Sequence, residues 1–128
     1  MTCTLKATVK GAGGLFGVTL HPENDLSISP VFKADPVSFS EWKTDPFSID
    51  VEGDFDYTCT VGGPNQATFE LTIEIKVGSK WVKLVDSKKG RIGSGCGNVS
   101  KPKNKGCIVS SAELPKELSE VNPTNLES

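Results

Sequence analysis

The chain has 128 residues, enough for one domain with a real core and too few for two of ordinary size. Its 36% apolar content, 13 glycines and 8 prolines exclude long regular helices, and no apolar run approaches the roughly 20 residues that cross a bilayer. The net charge of −2 conceals a strong separation of acids from bases along the chain, described below.

The first residues, MTCTLKATVKG, alternate instead of building a signal-peptide core. Cys3, Leu5, Ala7 and Val9 fall on one face, with Thr4, Lys6, Thr8 and Lys10 on the other, which is the period of a half-buried strand. Glycines 11, 13 and 14 end it. LFGVTL, LSISPVF, VSFS, FSIDV and FDYTCTV follow as short β-type runs between Pro, Asn, Asp and Gly, and Pro30 implies an edge or a bulge in its run.

ATFELTIEIKV, GS, KWVKLVD predicts a tight hairpin turning at Gly78 and Ser79. That register sets Ile75 against Val82 and Ile73 against Leu84 toward the core, and Glu74 against Lys83 toward water. CIVSSA supplies a last strand. Leu114, Leu118 and Val121 in ELPKELSEV have helical spacing from Pro115, and NPTNLES reads as a frayed tail. The domain is thus expected over 1–121, with 122–128 as tail. With no crossover helices to join parallel strands, the expected fold is all-β: an antiparallel β-sandwich, Ig-like or jelly-roll-like, of about eight or nine short strands with a short C-terminal helical turn.

One string, DFDYTC, resembles the tyrosine corner of the immunoglobulin fold, because Tyr57 precedes Cys59 by two residues and Cys3 lies upstream. Trp42 stands too far after Cys3 for that family's core tryptophan, and a long ordered stretch follows Cys59. The expectation is therefore a sandwich outside the family.

Cys3, Cys59, Cys96 and Cys107 form an even set without a C-x-x-C pair, which argues for disulfides over zinc or thioredoxin chemistry. Strand placement pairs Cys3 with Cys59, and short separation pairs Cys96 with Cys107. Disulfides imply a secreted or extracellular location.

From Glu23 to Asp56 the chain carries nine acids against Lys33 and Lys43, and from Lys76 to Lys105 nine cations against Asp86. The segment closed by Cys96 and Cys107 holds Lys101, Lys103 and Lys105, an Asn98-Val99-Ser100 acceptor triplet and no acid. Stapled, a polar loop with little to bury still presents a defined surface. These three lysines, with Lys88, Lys89 and Arg91, are the expected contact surface for an anionic partner: a glycan, an acidic protein or a lipid headgroup. Trp81, outward and opposite Lys76, adds a ring for a sugar or a lipid interface.

Nucleic acid is excluded as the partner because no aromatics interleave the basic segment. His21, the only histidine, sits in the turn-like HPEND, and Asp54 and Asp56 alternate without a calcium-loop pattern. Neither metal, cofactor nor enzyme activity is expected, and the chain reads as a monomer or weak homo-oligomer. Two other classes compete with the recognition module. A membrane-active, toxin-like or effector-like protein requires exposed apolar side chains beside the lysines, and a self-associating protein requires acidic and basic regions that meet between copies.

Overall fold

A computed structural model describes residues 2–11, 14–37, 39–93 and 104–116. Nine strands run through them: β1 (Thr2–Gly11), β2 (Gly17–Pro22), β3 (Phe32–Ala34), β4 (Glu41–Thr44), β5 (Phe47–Asp50), β6 (Asp54–Gly62), β7 (Thr68–Val77), β8 (Lys80–Arg91) and β9 (Lys105–Glu113). All pairings are antiparallel. A six-stranded sheet has the order β3-β4-β1-β7-β8, with β5 also on β1, and a three-stranded sheet has the order β2-β6-β9. The alternation in β1, β6 and β7 decides which face is inside. Leu5, Ala7, Val9, Leu71, Ile73 and Ile75 of the larger sheet are buried in one core with Leu20, Phe55, Tyr57, Cys59, Val61 and Ile108 of the smaller.

β4 and β5 share one edge of β1 end to end. Thr8, Val9 and Lys10 pair with Lys43, Trp42 and Glu41, whereas Thr2 to Leu5 pair with Asp50 to Phe47, so the register slips by one residue between the two strands. Pro46, which has no N–H to give the ladder, stands at the slip. The buried Thr44 repairs it, its Oγ1 accepting a 3.0 Å hydrogen bond from Ala7 N.

The hairpin turns where expected. Gly78 has φ +64 and Ser79 no positive φ, the pattern of a type II′ turn, and Val77, Lys76, Ile75 and Glu74 face Lys80, Trp81, Val82 and Lys83. The expected pair of Ile73 with Leu84 does not form. A bulge puts Val85 opposite Ile73, and a second slip follows before Leu71 meets Lys88. Ser87, at φ +50, sits at that second slip with its N–H donating to Thr72 Oγ1 at 3.2 Å. Each extra residue lengthens β8, so Lys88, Lys89 and Arg91 are strand residues and not part of a loop.

Two further expectations need correction. VSFS is not a strand: Asp35 Oδ1 accepts from Val37 N and Asp35 O from Phe39 N, a local turn that moves the strand on to EWKT. Cys3 and Cys59 are not a disulfide; both are buried thiols, one at the start of β1 in the larger sheet and the other in mid-β6 of the smaller. Each serves the core as a small apolar group. Cys107 is disulfide-bonded, while Cys96, its expected partner, lies outside the described residues. So do Lys101, Lys103, the Asn98-Val99-Ser100 triplet and the helical turn after Lys116.

Tyr57 also departs from a tyrosine corner. Its buried hydroxyl bonds Ser110 on the neighbouring strand, and its ring stacks on Phe55 at 5.6 Å.

Candidate functional site at the β8–β9 pole

The larger sheet and the smaller one close on each other where β8 ends and β9 begins. Gly93 N donates to Lys105 O at 2.7 Å, and a Cβ at Gly106 would stand 2.4 Å from the Arg91 carbonyl oxygen, so only glycine lets the strands approach this far. Arg91 lies opposite Thr68 on the outer face of the larger sheet, and Lys105 lies opposite Gly62 on the outer face of the smaller. The seam therefore carries a cation on each flank. Lys89 continues the line along β8, while Lys88 turns aside, its Nζ donating to Ser110 Oγ on β9 at 2.7 Å.

The strand registers collect the ends of β1, β6 and β8 and the starts of β2, β4, β7 and β9 at this pole. Acids gather at the opposite one, where Thr2 meets Asp50, Asp54 meets Glu113 and Glu23 N donates to Asp56 O. The hairpin tip brings Lys76 and Lys80 there as well. Among the described residues, no ion pair links Lys88, Lys89 or Lys105 to the acidic stretch. That stretch is answered elsewhere: Lys33 bonds Asp45 at 3.1 Å, and Lys43 and Lys10 lie 3.0 and 3.6 Å from Glu41. Lys43, then Lys10, hold the Glu41 carboxyl below its ordinary range.

Trp81 is not brought to the seam. It stands at the hairpin end of β8 with Lys6 Nζ 4.3 Å from its ring centroid, a cation–π contact that covers one face. His21 is exposed on β2, and Asp56 accepts a hydrogen bond from Ser111. Among the described residues no group of three His, Cys, Asp or Glu side chains is able to hold a metal ion, and no helix is long and apolar enough to cross a membrane.

Two cavities on the outer face of the larger sheet, of about 400 and 250 Å³, share Lys10, Glu41 and Glu70. Their charges are matched within the sheet, because Glu70 faces Lys10 on one side and Lys89 on the other. A third groove, of about 440 Å³, is different in kind. Phe16, Val18, Thr60, Gly62, Asn104 and Lys105 line a mostly apolar trough at the seam.

Phe16 was hidden in the sequence within a run that reads as a strand. It is 68% exposed, as are Val37 at 89% and Phe39 at 49%, all on loops of this same pole. Leu15 N donates to Phe39 O and Phe16 N to Gly62 O, tying the β1–β2 and β3–β4 loops to the end of β6. The signal that marks them is local: GLFG is bracketed by glycines, and VSFS follows a proline.

Comparison of the chain with known protein families, with characterised proteins and with solved structures finds no match to any of them.

Proposed function

We propose that the protein is a non-enzymatic extracellular recognition module that binds an anionic partner through the pole where β8 and β9 meet. The observation that carries this reading is the seam, which sets Arg91 and Lys105 on either flank of one edge with Lys89 in line, while most acids of the stretch from Glu23 to Asp56 collect at the far pole. Cations on adjoining faces of a rigid edge need little ordering on binding, and Lys105, whose cross-strand neighbour is Gly62, keeps a field that reaches solvent. Lys101 and Lys103, in the connection between the two strands, extend the same basic segment in sequence.

Retention on an immobilised sulfated glycan such as heparin tests the reading. The wild type should be held at low salt and released as salt rises, and Lys89→Ser/Arg91→Ser/Lys105→Ser should elute early while melting nearly as before, since exposed charges contribute at most about 1 kcal/mol each. Absence of retention, or retention that the triple variant leaves intact, rejects the seam as the contact surface.

A further inference from the structure

We infer that the anionic partner is a lipid bilayer surface, entered by Phe16, Val37 and Phe39 beside the basic seam; this rests on the reading above. Cations alone do not choose between a glycan, an acidic protein and a membrane. The apolar side chains do. Phe16 and Lys105 line the same groove, so an aromatic ring 68% exposed stands next to a lysine whose cross-strand neighbour is an uncharged glycine. A sulfated glycan offers at most one sugar face to a single ring, whereas a bilayer interface offers anionic headgroups to the lysine and acyl chains to all three apolar side chains at once.

The second loop is built to hold its ring out. Phe39 has φ +54, a left-handed conformation unusual for a bulky residue. Its N–H donates to Asp35 O at 3.0 Å, and its carbonyl accepts from Leu15 N at 2.8 Å and from Trp42 Nε1 at 2.9 Å. A backbone fastened at both ends keeps Phe39 half-exposed and Val37 almost wholly so, next to the loop that carries Phe16. Three apolar side chains on two cross-linked loops, with Lys105 in the groove beside Phe16, form an end that penetrates shallowly. The acids at the opposite pole orient that end toward an anionic sheet and face away from it.

Co-sedimentation with vesicles provides the test. Wild-type protein should bind phosphatidylcholine vesicles containing phosphatidylserine, bind phosphatidylcholine alone far less, and keep part of its vesicle binding at salt that releases it from heparin. Phe16→Ser/Phe39→Asn, in which asparagine suits the positive φ, should lower vesicle affinity by about tenfold or more with heparin retention unchanged. As a readout independent of loss of fold, Phe16→Trp should shift its emission to the blue on phosphatidylserine vesicles. Heparin retention without vesicle binding, vesicle binding indifferent to the double variant, or an unshifted tryptophan overturns the lipid assignment and leaves the basic seam standing. Failure of the wild type in both assays overturns both readings.

Discussion

Lys88 Nζ donates a 2.7 Å hydrogen bond to Ser110 Oγ, joining the edge strand of one sheet to the edge strand of the other. Ser110 is also the partner of the Tyr57 hydroxyl, which is buried with its ring. Ser110→Ala should therefore cost about 1–3 kcal/mol in a denaturant titration, chiefly by leaving the phenol without a partner in the core. Lys88→Met should cost less, because the bond it removes is made by an exposed ammonium that water serves equally well, and Ser110 keeps the Tyr57 hydroxyl as a partner.

The junction of β4 and β5 depends on one hydroxyl. Thr44→Val keeps the shape and removes the acceptor of Ala7 N, so a backbone donor in the middle of the sheet is left unsatisfied. A loss of about 1–3 kcal/mol is expected, and amide exchange at Ala7 should accelerate more than at Val9, whose strand partners are untouched.

At the seam, Gly106→Ala should be among the most damaging single-methyl additions to the chain. Its Cβ meets the Arg91 carbonyl, a backbone atom that has no rotamer to change. Overpacking of this kind costs about 1–3 kcal/mol. Gly17→Ala, where nothing lies within 4 Å, is the control and should melt close to wild type.

Burial pushes the Cys59 thiol up to about 12 from an ordinary value of 9.0. The unfolded chain loses this proton first, so the contribution is fully present below pH 9.0 and declines as pH rises toward about 12. Over that window Cys59 should make stability fall by about 1.4 kcal/mol per pH unit, a slope that Cys59→Ala removes when the two proteins are compared by denaturation at each pH. In the native state Cys59 should resist alkylation; denatured without reductant, both Cys3 and Cys59 should take up the reagent.

Much of the sandwich was readable because strand period and turn chemistry agree. β1 and β7 alternate without interruption, and Gly78 fixes the hairpin, so local pattern and tertiary burial point the same way. The bulges in β8 were not readable. Leu84 and Val85 are both acceptable inward residues, and only packing against Ile73 chooses between them. VSFS failed for a related reason: its alternation mimics a strand, while the Asp35 side chain closes a turn over it. For Cys3 and Cys59 cysteine parity misled, because a thiol substitutes for an alanine or valine in a core as well as it forms a bridge. For the candidate site, the basic residues were visible in sequence, but their division between the two flanks of a seam depends on how far β8 extends. The exposed phenylalanines had only a local mark, the flanking glycines of GLFG and the proline before VSFS, which places them in loops without saying which way those loops face.

The gathering of most acids of the 23–56 stretch at the pole opposite the seam also has a kinetic meaning. A molecule charged in this way experiences a torque near a charged surface, so it turns before it touches, and productive collisions exceed the fraction that random tumbling would supply. Salt would then act chiefly on the rate of arrival, while the rate of departure would follow the apolar contacts made afterwards.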